Sequence, residues 1–389
     1  MDASRARQKT GARGSKRETL ILAALLLVGG LYAFHFFEGG REKLINDSLA
    51  YLELSEGKAV GVPFNVRILK PLLASGLASL TGLSTWETFQ ILTPVELLLS
   101  LLLLAALLRH RGASPEWQAA VTLALGSSLA VTFGYTPVMV DTLVLLLTCM
   151  VIAAIDRKRI VLSLVLVILA ALTKEYGVFL SLVWGLHAYR LGYRRFALLG
   201  ALTPATVLLI LFLVMPTART GGFEGWRALL DATFGYHLSL LRFRGPRDYL
   251  KILYMWSWSM LWPLLFISAL TVMRGVRRWS TLNEDQIDFL TMIVAIPVLL
   301  LGDWGRAFLL IVPFSCVAAT GHRLTKEHRF AMLLAVGGAA TALARPVHGG
   351  ISPPQLFFIS MAAVSVAVSV LIAFEIARAR PATATPLYD

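Results

Sequence analysis

The sequence predicts an all-α protein, a polytopic transmembrane helix bundle of about twelve spans. Three observations lead there. Of 389 residues, 57% are hydrophobic and only 15% charged, with a mean hydropathy of +0.71, far from a soluble globular composition. The apolar residues come in runs close to the roughly 20 residues a helix needs to cross a bilayer. Most of the 36 Lys and Arg residues fall in short loops that share one side once the runs are counted, as cytoplasmic loops do.

The first run, 19–37, follows Arg5, Arg7, Lys9, Arg13, Lys16 and Arg17. That layout suits a signal peptide, but the exit, Ala33-Phe34-His35-Phe36-Phe37, lacks a small-residue cleavage pattern. It is read as an uncleaved span, with residues 1–18 a disordered cytoplasmic tail. Segment 38–87 is then a long outer loop. Within it, 66–83 is apolar but interrupted by Arg67, Lys70 and Pro71. It is read as an interfacial helix lying at the outer surface, because a crossing here would move every later basic loop to the wrong side.

Spans follow at 88–108, 117–134, 138–155, 160–173, 177–189 and 196–215. Two of these are short. A run of about 14 residues gives roughly 21 Å of helix against roughly 30 Å of hydrocarbon. The Lys174–Glu175 tip between them is therefore expected below the outer surface, in a protein-lined cavity; local bilayer thinning is the alternative. Segment 216–250 is a second outer loop with Arg219, Arg227, His237, Arg242, Arg244 and Arg247. Such arginine density outside points to an anionic ligand or to lipid head groups. Spans 251–272, 286–301, 307–320, 329–344 and 356–376 complete one transmembrane domain over 19–376. A tail, 377–389, ends on the same cytoplasmic side as the first.

The formal charge of +13 is explained by this sorting, so nucleic acid is not expected as a partner. Cys149 and Cys316 sit inside apolar runs without the spacing of a metal or redox pair.

Charge within or beside spans is costly and marks working sites. Asp47, Asp141, Lys174 with Glu175, and Asp303 with Arg306 all fall on the outer side, which points to one shared polar cavity. Asp47 stands near a tyrosine, Tyr51, and upstream of Arg67, a layout in which a carboxylate takes a proton while arginine holds a phosphate. Each charge also has a plainer reading. Asp47 suits a helix cap, Asp141 a helix N-terminus, and the cations suit salt bridges to acids on other helices. Glu96, deep in an apolar run, has no assigned role.

The first-loop acid, Tyr51, the string Arg67-Ile68-Leu69-Lys70-Pro71-Leu72-Leu73, the tip Thr173-Lys174-Glu175 and the turn Gly302-Asp303-Trp304-Gly305-Arg306 together resemble the GT-C superfamily of multi-span glycosyltransferases. The resemblance covers roughly 45–310. It implies a polyprenyl-phosphate sugar donor, a lipid or glycan acceptor, and Asp47 as general base in an inverting transfer. Arg67, Lys174, Arg306 and Arg244 are the candidates for the donor phosphate. Tyr51, Asp141, Glu175, Asp303 and His237 are candidate substrate-binding or structural residues. Many members show two acids bracketing one residue, but positions 45 and 49 are Ile45 and Leu49. No metal ligand is therefore assigned, and a divalent metal stays open as a cofactor.

The expected location is the inner (plasma) membrane, with both termini cytoplasmic, the active site outside and membrane lipids around the helices. The rival reading is a transporter or flippase for a lipid-linked sugar or another anion. The charges gather at one lip rather than at the bilayer midplane, which favours the enzyme.

Overall fold

The computed structural model describes residues 2–38, 47–60, 64–214, 282–293 and 309–320, with a few isolated positions between them. All regular elements among the described residues are helical, and no strand occurs there. In chain order they are α1 (Asp2–Glu38), α2 (Asp47–Ser55), α3 (Leu69–Thr81), α4 (Thr85–His110), α5 (Pro115–Tyr135), α6 (Asp141–Asp156), α7 (Ile160–Thr173), α8 (Leu180–Arg190), α9 (Arg194–Val214), α10 (Glu284–Ile293) and α11 (Val312–Thr320). A 3-10 turn, Phe64–Val66, leads towards α3, and a second, Glu175–Phe179, joins α7 to α8. Among the described residues two helices, Thr85–His110 and Arg194–Leu213, are long and apolar enough to cross a membrane.

Helix ends are set by local chemistry. Ser84 and Glu87 form a reciprocal capping box at the start of α4, which satisfies two otherwise orphaned backbone donors. Ser114 caps α5 ahead of Pro115 at its first position. Gly82, at φ 75°, closes α3 in the left-handed conformation that glycine adopts most readily.

Small residues set the closest crossings. α1 lies along α5, and a Cβ at Gly126 would stand 2.6 Å from Val28 and 2.9 Å from Leu101. At Gly200, on α9, it would stand 3.1 Å from the Ser181 carbonyl and 3.2 Å from Gly185 Cα of α8. Glycine at both points lets helix surfaces meet almost backbone to side chain. The core between the helices includes Val28, Leu101, Leu104, Val121, Val144 and Trp184, all buried.

Leucines also face outward in rows. Leu72, Leu73 and Leu80 of α3, Ile91, Val95, Leu98 and Leu102 of α4, and Leu198, Leu202, Leu209 and Leu213 of α9 are exposed. Meanwhile Arg67, Lys70, Glu96, Asp141 and Lys174 are buried. Charged side chains are rarely this buried unless they are paired.

Three expectations change. Residues 2–18, expected to be disordered, continue α1 without a break; the stretch is proline-free and carries three Ala, four Arg and two Lys, which favour helix. The segment read as an interfacial helix is helical over Leu69–Thr81 (α3), but Arg67 just before it and Lys70 in its first turn are buried, not at the surface. Tertiary pairing offsets the desolvation that a surface position would have avoided. The Lys174–Glu175 tip is inside the protein, as expected, but it is packed against acids and cations rather than standing in an open hollow. Spans predicted at 251–272, 329–344 and 356–376, nearly all of the second outer loop, and the tail 377–389 lie outside the described residues.

Candidate functional site

At the end of the bundle where α2 and α3 lie, three cations meet three carboxylates. The arrangement starts at the end of α7. Its C-terminal neighbour Lys174 is extended, with φ −158° and ψ 134°, so Lys174 and Glu175 project to opposite sides as consecutive residues of a strand would. Lys174 Nζ donates to Asp141 Oδ1 at 2.8 Å, and the Tyr176 hydroxyl donates to the same oxygen at 3.0 Å. Both charged side chains are 0% exposed. Asp141 opens α6, where the positive end of the helix dipole also stabilises its charge.

Glu175 turns the other way. It accepts from Arg67 Nε at 2.8 Å and from Arg67 Nη2 at 2.6 Å, a two-point fork. Arg67 Nη1 donates to the Tyr51 hydroxyl at 2.6 Å. The Phe64 ring supports both partners, edge-on to Tyr51 at 5.6 Å and 5.7 Å from the guanidinium carbon. A turn this tight needs Gly177, because a Cβ there would lie 2.4 Å from the Ala170 carbonyl carbon and oxygen.

One turn past Arg67, Lys70 forms the third pair. Its ammonium reaches Glu96 Oε2, Thr93 Oγ1 and the Met139 carbonyl, each at 2.7 Å, and Thr142 Oγ1 at 2.9 Å. Three N–H groups thus serve four acceptors. Thr142 also donates to Glu96 Oε2 at 2.5 Å, and Thr93 donates to the Pro137 carbonyl. A buried acid is tolerable only when paired like this.

Above the network lies α2. Its buried face is Ser48, Tyr51, Leu52 and Ser55, and Asp47 is its first residue, partly exposed. Asp47 and Tyr51 are four apart and so share a face. The chain therefore places Asp47 one helical turn, about 6 Å along the axis, from the tyrosine that the buried arginine holds.

A second ionic group occupies the opposite end. Arg111, just past α4, forks onto Asp156 at 2.6 and 2.8 Å and onto Asp285 at 2.7 and 2.8 Å. Burial works against its charge, but the two carboxylates outweigh burial and hold the guanidinium above its ordinary pKa. His187 Nε2 lies 2.6 Å from Asp288 Oδ2, and Arg190 stands 3.7 Å from the other oxygen. These contacts tie α10 to the ends of α4, α6 and α8.

Of the residues singled out in the sequence, Tyr51, Arg67, Asp141, Lys174 and Glu175 come together in one network. Arg244, His237, Asp303 and Arg306 lie outside the described residues. Sequence reasoning missed Lys70, Thr93, Thr142 and Tyr176. The signal was present: a glutamate in an apolar run requires a cation, and Lys70 breaks the neighbouring apolar segment. The salt-bridge alternative kept open for Arg67 and Lys174 is the geometry observed. Among the described residues no group of three His, Cys, Asp or Glu side chains is placed to hold a metal ion, and Cys149 and Cys316 are free and buried. No protein-family model, curated protein or solved structure matches this chain.

Proposed function

We propose that the chain is an integral-membrane glycosyltransferase of the GT-C type, crossing the inner (plasma) membrane about twelve times with both termini cytoplasmic. It moves a sugar from a polyprenyl-phosphate donor to a lipid or glycan acceptor on the outer side. The observation that supports this best is an acid, Asp47, at the start of a short helix seated on a buried arginine. Leucine rows on the outer faces of α3, α4 and α9 support the membrane part of the reading.

In this reading Asp47 takes the proton of the acceptor hydroxyl as its oxygen attacks the anomeric carbon. The bond from that carbon to the phosphate oxygen breaks, and polyprenyl phosphate leaves as an anion. A single displacement inverts the anomeric centre. The leaving group needs charge stabilisation more than a proton. Arg244 and Arg306 hold the donor phosphate. Arg67 and Lys174 are directed at Glu175, Tyr51 and Asp141, so they act from beneath by shaping the site. A divalent metal is not required by this scheme.

The carrier alternative draws on the fully buried Lys174–Asp141 and Lys70–Glu96 pairs, since charges inside apolar helices also serve coupled transport. The test reconstitutes the full chain with polyprenyl-phosphate sugars and compares Asp47→Asn. Product formation by the wild type and a fall of at least about a hundredfold in the variant is the expected result. Wild-type turnover by Asp47→Asn removes the base. Movement of the lipid-linked sugar between leaflets with no product formed gives the protein to the carrier class.

A further inference from the structure

We propose that Glu175 is a positioning residue for Asp47, acting across the bundle through Arg67 and Tyr51. This rests on the reading of Asp47 as general base, and it changes the role of Glu175 and Arg67 from substrate contacts to supports.

The argument starts with α2. Nine residues make little more than two turns, too few to hold a helix in place by themselves. Its position comes from what it packs on. Tyr51 is its largest buried side chain, 0% exposed, and the Tyr51 hydroxyl accepts from Arg67 at 2.6 Å. Arg67 cannot swing to another acceptor without leaving Glu175, which binds it at two points. Glu175 in turn sits on a tip fixed by three contacts: Lys174 and Tyr176 on one oxygen of Asp141, and Gly177 against the backbone of Ala170.

A continuous chain of short hydrogen bonds therefore runs from the α7–α8 tip to the turn of α2 next to Asp47. Arg67 is 2% exposed, so its link to Tyr51 is not shared freely with water. Replacing the Glu175 carboxylate by an amide removes one of the two acceptors of the fork and the negative charge that faces the arginine. The guanidinium then reorients, Tyr51 loses its donor, and α2 shifts. A base misplaced by about 1 Å loses on the order of a hundredfold in rate.

The first readout is geometric and does not need the glycosyl-transfer reading. Cys149 and Cys316 are buried, so Asp47→Cys introduces an accessible thiol on a quiet background. Its labelling rate by an impermeant maleimide is measured in the full chain in membranes, alone and with Glu175→Gln, with Tyr51→Phe, and with both. The expected result is at least a threefold change with either variant and no further change with both, because both cut one chain of contacts. An unchanged rate in folded Glu175→Gln protein, or additive changes in the double variant, overturns the proposal.

The second readout is kinetic. Glu175→Gln in the Asp47 background lowers kcat at least about tenfold with little change in KM for the donor, and Glu175→Asp recovers part of the loss. A raised KM at unchanged kcat makes Glu175 a donor contact and overturns the positioning role. If the wild type transfers no sugar while the labelling pattern appears as expected, the functional reading fails and the mechanical link stands. Should Glu175→Gln fail to fold, Tyr51→Phe, which keeps the ring packing on Phe64, carries the same labelling test.

Discussion

The two ends of α6 carry the same chemistry in different settings. Asp141 opens the helix and Asp156 closes it, about 22 Å away along the axis. Asp141 is 0% exposed and bound to a lysine that is also 0% exposed. Asp156 is 16% exposed and shares Arg111, itself 18% exposed, with Asp285. At the first end the cations are sealed beneath a short helix bearing a partly exposed acid. At the other end a forked arginine joins a later segment of the chain to the ends of two helices, α4 and α6. The lesson is that an ion pair at the first end is costly to break singly, whereas at the second it works as a fastening open to water and salt.

The largest expected effect tests the sealed end. Lys174→Ala or Asp141→Ala leaves a buried charge without a partner and costs about 3–5 kcal/mol, read as a lowered midpoint in thermal unfolding of the purified protein. The double replacement Lys174→Met with Asp141→Leu recovers most of that loss. If each single change costs no more than the double, the burial contrast between the ends is wrong.

A smaller effect sharpens the other half. Arg111→Lys keeps the charge but removes the fork onto two carboxylates, and costs about 1–2 kcal/mol. Raised salt weakens the wild-type fastening and narrows the gap to the variant, because these groups touch solvent. Identical salt responses for Arg111→Lys and Lys174→Met/Asp141→Leu, each set against wild type, would erase the distinction.

The smallest effect comes from an exposed pair near the sealed end. Glu56 accepts from Lys58 at 2.8 Å and from Arg41 at 2.6 Å. The Lys58 hydrogen bond first, then the two positive charges, hold its carboxyl below the ordinary glutamate pKa. Its folded pKa is lower than its unfolded one, so its contribution is complete above the unfolded value and is lost as pH falls through the folded value. Glu56→Gln is expected to change stability by less than about 1 kcal/mol at neutral pH and to match wild type in acid. A difference between the two that grows on acidification reverses the assignment.

Much of the helical layout was legible in the chain. The run read as 160–173 is α7 itself, and the runs at 88–108, 117–134 and 196–215 fall inside α4, α5 and α9 or within a residue of them. Uninterrupted apolar stretches ended by Ser, Pro, Gly and basic clusters leave little choice. The candidate site was legible only as a set of expensive charges on one side. Which acid met which base was not, because Arg67 and Glu175 are 108 residues apart and no local periodicity links them. Glu96 is the clearest case: its depth announced that it had a partner, while the identity of Lys70 waited on the docking of α3 against α4.

The sequence by itself determined that the protein is helical and rich in apolar helix faces, and where buried charge would be concentrated. Local propensity and hydropathy act over a few turns and suffice for that. Only the tertiary structure decided that the cations are neutralised inside the protein, that Lys174 and Glu175 serve opposite partners, and that Tyr51 ties α2 to the α7–α8 tip. Those outcomes depend on distances of a few ångströms between segments far apart in the chain, where a buried charge is stable only if packing brings its partner into hydrogen-bond range.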